Sequence, residues 1–465
     1  MMRFSKALSL AAASLFLANC QQAALTPDNM MCNFRTVNMH VAVPVSRPAD
    51  LRERKPSALA AEIENSLRVH EKTNTGEAAR ILALSGGSEH GAFGAGVLKG
   101  WGGTGQLPDF QIVTGISTGA ILSTFAFVND APAAVSGYTI QNEDELITVY
   151  AKPKDGKPDI GNYASLLERG SFANLDPLRE RLGNFLSDEV LQKVAKRHAA
   201  GARLFVGATD ADSGDAVAFD MGEMASRYVN TAPDDERGIF KDCYISAIIA
   251  SSSSPIAAPP AFIDNTMYID GGVRFGLFSD SVFEAFFRRQ HGMTDAYDFE
   301  EAELQEELPP IEPDVTAPLV YAIVNGTLNL PAPKCPKADK SLCEQDPPYG
   351  GKDGQHKDWN ILDLLLQTEH ILVNEVYRFS ALAVEADACE QAGCFNFLRI
   401  EKDMEDFEYI MLNEKGILIP APCPAWKEVD IELDDPIQFH KRYMRCLIAY
   451  GQKSVEDAGW GYPAS

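Results

Sequence analysis

The segment Thr114–Ala120 places a serine between two glycines in the pattern G-x-S-x-G, with a short apolar run on either side. The run before it has the composition of a buried strand, and the run after it that of a helix. A strand, a sharp turn and a helix in this order form a nucleophile elbow. Gly115 and Gly119 would let the two backbones approach closely, with Ser117 at the tip. The N–H groups that open the helix would favour an oxyanion beside this serine. A glycine-flanked turn without chemistry is the alternative.

A second glycine-rich stretch precedes this elbow. The apolar run 80–85 predicts a buried strand, and it leads into the glycine-rich stretch Gly86–Leu98, which predicts a turn and then a helix. Such a loop presents backbone N–H groups to an anion. A phosphate loop would end in Gly-Lys-Ser or Gly-Lys-Thr, and this loop does not. We therefore expect an oxyanion hole, whose candidate donors are the amides of Gly86, Gly87, Ser88 and Glu89.

Composition bounds the possible partners. The chain has 465 residues, 45% of them hydrophobic, so a sizeable core is available. Its formal charge of −25 argues against nucleic acid and against electrostatic docking on anionic lipid.

The first residues have the features of an export signal. Arg3 and Lys6 precede an apolar run, 7–18, that is too short to span a bilayer. The run ends in Leu-Ala-Asn-Cys, which resembles a bacterial lipoprotein cleavage box, although Asn19 departs from the usual small residue. We therefore expect a signal peptide over residues 1–19 and a lipid-carrying Cys20. The protein would then be exported to the cell envelope and anchored in a membrane, on the periplasmic or outer-membrane side.

Eight cysteines follow Cys20, an even number that suggests disulfides in an exported chain. Two pairs are close in sequence, Cys335 with Cys343 and Cys389 with Cys394. The remaining pairs would be Cys32 with Cys243 and Cys423 with Cys446, although spacing alone does not fix the connectivity. No C-x-x-C pair recurs with histidines at ligand spacing, so we expect no metal site.

Five blocks of sequence, in order, resemble the patatin-like phospholipase family. They span roughly residues 79–285. The blocks are Leu84–Phe93 with its glycines, Gly115–Gly119, Gly170–Leu178, Val206–Asp220 and Ala250–Val273.

The resemblance implies an α/β fold of three layers, in which a central, mainly parallel sheet has helices on both faces. It implies a lipid acyl-ester hydrolase that works without a cofactor, through a Ser–Asp dyad and an acyl-enzyme. Ser117 would be the nucleophile. Asp270, followed by the motif residue Gly271, would be the base, and its carboxylate must be partly desolvated to act near neutral pH. The substrate would be a lipid or another acyl ester.

Several alternatives remain open. Asp270 could belong to an ordinary Asp-Gly turn. A Ser–Asp–His triad would need a downstream histidine. The fold could also serve a non-catalytic envelope protein that binds a lipid or a partner, or an acyltransferase. The candidate histidines are His291, His356, His370 and His440.

Two positions depart from the resemblance. The glycine loop of the family carries a third glycine and then a Lys or Arg, where this chain has Ser88 and His90. The backbone amides survive this change, but a fixed positive charge is lost unless His90 is protonated.

We divide the chain into a signal peptide (1–19), a lead-in (20–78), a catalytic domain (79–285) and a C-terminal extension (286–465). The extension begins with an acidic insert, which we expect to be a solvated loop. It continues with a cysteine-containing loop, 331–357. We expect its later elements to complete the main sheet and its cover. These are a strand at 318–326, a helix at 363–386, strands at 409–412 and 417–419, and a helix at 435–450.

Overall fold

The computed structural model describes residues 29–39, 57–150, 170–233, 235–290, 315–327, 368, 371–382, 395–413 and 415–460. Several sequence predictions lie outside these residues. They are the signal peptide with Cys20, the acidic insert, the loop 331–357, and the pairs Cys335–Cys343 and Cys389–Cys394.

The strands are numbered in chain order. They are β1 (Thr36–Met39), β2 (Arg80–Leu84), β3 (Ile112–Ile116), β4 (Thr148–Val149), β5 (Ala173–Asn174), β6 (Arg203–Asp210), β7 (Ala216–Asp220), β8 (Ala261–Ile263), β9 (Thr266–Asp270), β10 (Leu319–Val324), β11 (Phe395–Arg399), β12 (Glu408–Leu412) and β13 (Leu418–Pro422).

The helices are numbered in the same way. They are α1 (Ala58–Thr73), α2 (Gly91–Gly103), α3 (Thr118–Phe127), α4 (Ala131–Tyr138), α5 (Asp176–Phe185), α6 (Asp188–Ala199), α7 (Met221–Asn230), α8 (Asp235–Ser251), α9 (Ser279–Gln290), α10 (371–382), α11 (Cys423–Leu433) and α12 (Lys441–Ala458).

The main sheet has the order β1-β7-β6-β3-β2-β10-β11, and β9 also pairs with β6. Its centre, from β6 to β11, is parallel. Apolar side chains on both faces of these strands are buried. Leu82 and Leu84 contact a cluster that includes α2 and α12, while Ile81 and Ile112 contact one that includes α1 and α9. Because both faces are covered, the strands are almost continuously apolar. The expected mainly parallel sheet with helices on both faces is confirmed.

The C-terminal extension joins this sheet, but two of its predicted strands do not. The prediction that 409–412 and 417–419 complete the main sheet is wrong, because β12 and β13 pair only with each other. Ile410 and Leu412 are exposed, whereas Tyr409 and Met411 are half-buried. Such alternation is typical of a sheet with one solvated face, and it cannot replace a centrally buried strand.

The extension supplies β10 and β11 to the main sheet instead, and α12 packs on α2. This helix begins at Lys441, not near 435, since Pro436 and an irregular segment precede it.

Two disulfides tie distant parts of the described chain. Cys32 is bonded to Cys243, and Cys423 to Cys446, as the sequence suggested. Within the described residues, no helix combines the length and the apolar character that a membrane span requires.

Candidate active site

Ser117 lies at a tight turn between β3 and α3. Its φ of +52° and ψ of −121° are strained for a residue other than glycine. The turn packs directly against β2, since a methyl group added to Gly119 would lie 2.6 Å from the carbonyl oxygen of Ser85. One added to Gly115 would lie 2.6 Å from the carbonyl carbon of Gly119. Neither contact leaves room for a side chain, so both motif glycines are required by close backbone approach.

Ser251, at the end of α8, holds this turn from the other side. Its hydroxyl accepts a hydrogen bond from the Ser117 amide at 2.8 Å and donates one to the Gly207 carbonyl at 2.6 Å. Ser252 also donates to the Ser117 carbonyl at 3.3 Å. The strained backbone of Ser117 is therefore fixed by a fully buried serine.

Strand β6 brings Asp270 to the same place. Ile116, the last residue of β3, is paired with Gly207, and the next residue of β6, Ala208, is paired with Asp270. Ala208 is paired with β7 as well, so β9 must lie on the other side of β6, where β3 ends. Asp270 therefore follows Ile116 along one edge of β6, next to Ser117.

Asp270 is buried and held by its backbone. Its amide donates to the Ser253 carbonyl at 2.9 Å, and its carbonyl accepts from the Thr209 hydroxyl at 3.1 Å. One carboxylate oxygen accepts from the Gly272 amide at 2.7 Å. A methyl group added to Gly271 would lie 2.7 Å from the Gly207 carbonyl oxygen, so this glycine also permits a close approach.

The glycine loop stands beside the elbow. Gly87 has a φ of +147° and Ser88 a φ of +52°. Among the described residues, neither amide donates to a backbone carbonyl. Thr118, the first residue of α3, donates from its hydroxyl to the Ser88 carbonyl at 2.9 Å. The loop is thus attached to the helix that follows Ser117. Gly91 packs against the hydroxyls of Thr118 and Tyr138.

Glu89 differs from its loop neighbours, because its side chain points into the protein. It is buried and contacts His440 and Lys427, both from the C-terminal extension. Burial would raise the pKa of Glu89, but the hydrogen bond from His440 and the charges of Lys427, His440 and His90 outweigh it and hold the pKa at about 2. Glu89 therefore carries a charge that neighbouring cations compensate.

Tyr377 of α10 completes the site. A methyl group added to Gly86 would overlap its hydroxyl and lie 3.0 Å from Cβ of Ser117. One added to Gly272 would lie 2.7 Å from the same hydroxyl and 3.0 Å from Oδ1 of Asp270. The tyrosine hydroxyl thus occupies the crevice that Ser117 and Asp270 border.

The structure brings together the residues that the sequence singled out, and it adds others. Ser251 lies in the serine-rich block Ala250–Val273, where the sequence offers no role for an individual serine. Tyr377 and Lys427 carried no sequence signal, since they are remote along the chain. His440 pairs with Glu89; the other candidate histidines, His291, His356 and His370, lie outside the described residues.

A comparison with protein families agrees with this geometry. Residues 82–279 match the family model described as Patatin-like phospholipase. No curated protein matches the sequence of this chain. The matched residues include Ser117, Asp270 and the glycine loop, and they lie on a mainly parallel sheet with helices on both faces. The chain therefore carries a patatin-like phospholipase domain over residues 82–279, from a family of lipid acyl hydrolases.

Proposed function

We propose that the protein hydrolyses a carboxylic ester of a lipid, with Ser117 as nucleophile and Asp270 as base. The observation that supports this most directly is the crevice that the two residues share at adjacent strand ends. The substrate would be a phospholipid, a lysophospholipid or a glyceride.

In the first half of the reaction, Oγ of Ser117 attacks the ester carbonyl carbon while Asp270 accepts the hydroxyl proton. The amides of Gly87 and Ser88 would donate to the oxyanion. The tetrahedral intermediate then expels the alcohol, which takes the proton from Asp270 and leaves Ser117 acylated. In the second half, water loses a proton to Asp270 and attacks the acyl carbon. The fatty acid leaves, and the proton returns to Ser117.

The charge of Glu89 is compatible with this chemistry. A carboxylate next to an oxyanion hole would oppose the developing negative charge. Glu89 points away from the crevice, and Lys427 donates to its carboxylate at 2.6 Å. Lys427, from the C-terminal extension, thus offsets the negative charge that Glu89 adds to this loop.

We further propose that the protein is exported and anchored in the cell envelope through Cys20. The disulfides Cys32–Cys243 and Cys423–Cys446 support export, since such bonds persist in oxidising compartments.

The test is covalent labelling of the mature protein with a fluorophosphonate probe, with and without dispersed lipid. Labelling should be lost in Ser117→Ala and much reduced in Asp270→Asn, whereas Ser226→Ala, which removes a serine hydroxyl that bonds only within α7, should still label. A folded wild type that labels under neither condition would refute the proposal. If the wild type labels, a separate assay with a lipid ester and added glycerol distinguishes the two reactions. A hydrolase releases the fatty acid, whereas an acyltransferase passes the acyl group to glycerol.

A further inference from the structure

Helix α10 covers the catalytic crevice through Tyr377. The tyrosine hydroxyl lies between Gly86 of the glycine loop and Gly272, which follows Asp270. An ester carbonyl that reaches Ser117 and the amides of Gly87 and Ser88 must enter the same space. In this arrangement Tyr377 has to move before a bulky acyl ester can bind.

Among the described residues, the inner face of α10 contacts one apolar cluster and the backbone of Gly276. Tyr377 and Ala381 pack with Leu277 and with residues of β2 and β10 in a separate apolar cluster. The hydroxyl of Ser380 accepts a hydrogen bond from the Gly276 amide at 2.9 Å. Within the described residues this cluster contains far fewer residues than the two that form the main core, so apolar packing holds α10 less firmly than it holds the core helices.

The outer face of the same helix is largely apolar. Ile371 is 45% exposed, Leu372 62%, Phe379 64% and Leu382 55%. Their separations of one, seven, eight and eleven residues place all four on one side of a helix. Glu375 lies among these four side chains on the same side of the helix, where Arg378 pairs with it at 3.4 Å. A cluster of exposed apolar side chains on so short a helix is typical of a surface that is covered in use.

We propose that α10 is a lipid-responsive cap, whose outer apolar face inserts into a lipid surface and thereby withdraws Tyr377 from the crevice. A lipid surface is the favoured occupant because one short helix carries both the apolar face and the side chain that blocks the crevice. The formal charge of −25 favours a zwitterionic surface over an anionic one. The inference rests on the proposed function, since it assigns a lipid aggregate as the form in which the ester is met.

The experiment measures the rate of fluorophosphonate labelling of Ser117 with and without vesicles of ether-linked phosphatidylcholine. These vesicles contain no acyl ester that could compete with the probe. They should accelerate labelling of the wild type by about tenfold, the change expected when a conformation populated at roughly a tenth becomes the major one. Tyr377→Ala should label at the fast rate without vesicles.

Two double variants test the outer face. Leu372→Ser/Phe379→Ser should lose the acceleration by vesicles. The matched control is Ile410→Ser/Leu418→Ser on the β12–β13 hairpin, where the side chains are 59% and 65% exposed, and it should keep the acceleration. Loss of the acceleration in both variants, or in neither, would overturn the assignment to α10.

A wild type that labels equally fast with and without vesicles would also overturn the proposal. If neither the wild type nor any variant labels under any condition, the proposed function fails. Flotation with the same vesicles then tests lipid binding by the outer face of α10 separately. In that case binding by the wild type and by the hairpin variant, but not by Leu372→Ser/Phe379→Ser, would uphold the docking face. Equal flotation of all three would refute it.

Discussion

Nδ1 of His440 lies 2.9 Å from Oε2 of Glu89, although the two residues are 351 positions apart in sequence. The backbone amide of His440 donates to the same oxygen at 3.0 Å. Nearby, the side-chain amide of Gln438 donates to the Ser88 hydroxyl at 2.7 Å. The C-terminal extension therefore holds the loop that carries the candidate oxyanion donors, and the site depends on residues well beyond the matched family segment.

Because Glu89 is buried and charged, the free energy of unfolding should depend on pH in the acidic range. Its pKa is lowered from 4.5 to about 2, so the unfolded chain binds the proton first. The stability that ionised Glu89 contributes is fully present above its pKa in the unfolded chain. It is lost as pH falls through its pKa in the folded protein. The difference between the two pKa values corresponds to about 3 kcal/mol of unfolding free energy. Glu89→Gln should reduce the free energy of unfolding at neutral pH, and the deficit should shrink between about pH 5 and pH 2.

Denaturant unfolding across this pH range measures the effect. The control is Glu145→Gln, which removes a half-exposed partner of Arg181 and should change stability by less than about 1 kcal/mol. Parallel pH profiles for the wild type and Glu89→Gln would contradict the prediction.

Ser251 should act as a positioning residue for Ser117. Ser251→Ala leaves the Ser117 amide without its acceptor, a loss of about 1–3 kcal/mol for a buried group. We expect kcat to fall by about tenfold or more with KM little changed, because the nucleophile is misplaced while substrate contacts persist. Ser253→Ala is the control, since that hydroxyl donates only to Ile249 within its own helix region. A rise in KM alone would argue against positioning.

Close packing at the elbow predicts that alanine destabilises the protein at Gly119 but not at Gly137, which lies in α4. Gly119→Ala would bring a methyl group within 2.6 Å of the Ser85 carbonyl and should destabilise the protein by about 1–3 kcal/mol. In Gly137→Ala the methyl group meets nothing within 4 Å, and a helical alanine should stabilise by about 0.5–1 kcal/mol. Denaturant midpoints measure both. Similar midpoints for the two variants would show that β2 does not constrain the turn.

The two disulfides should contribute unequally. The Cys32–Cys243 bond closes a separation of 211 residues, and the Cys423–Cys446 bond one of 23. In the chain-entropy description the first stabilises by about 5 kcal/mol and the second by about 3 kcal/mol. Unfolding of the two double alanine variants tests this order. A larger loss from the Cys423→Ala/Cys446→Ala pair would show that native-state contacts outweigh loop closure.

Local sequence was sufficient for the elements that carry the site. The apolar runs before Gly86 and Ser117, with the turns that follow them, predicted strand, loop and helix twice, because chain stereochemistry acts over a few residues. The mainly parallel sheet was implied by the resemblance of the five blocks to a known family. Local patterns could not decide whether a short alternating strand joins that sheet, and they misplaced β12 and β13.

Contacts between remote residues were decided only by the tertiary structure. Pairing of β3 and β9 with one edge of β6 sets Asp270 beside Ser117, and no local pattern encodes that register. Packing of the C-terminal extension sets His440 and Lys427 on Glu89, and it sets Tyr377 over the crevice. Each of these contacts joins segments that are remote in sequence and are brought together when apolar surface is buried. Because this burial is non-directional, it leaves no short motif in the sequence.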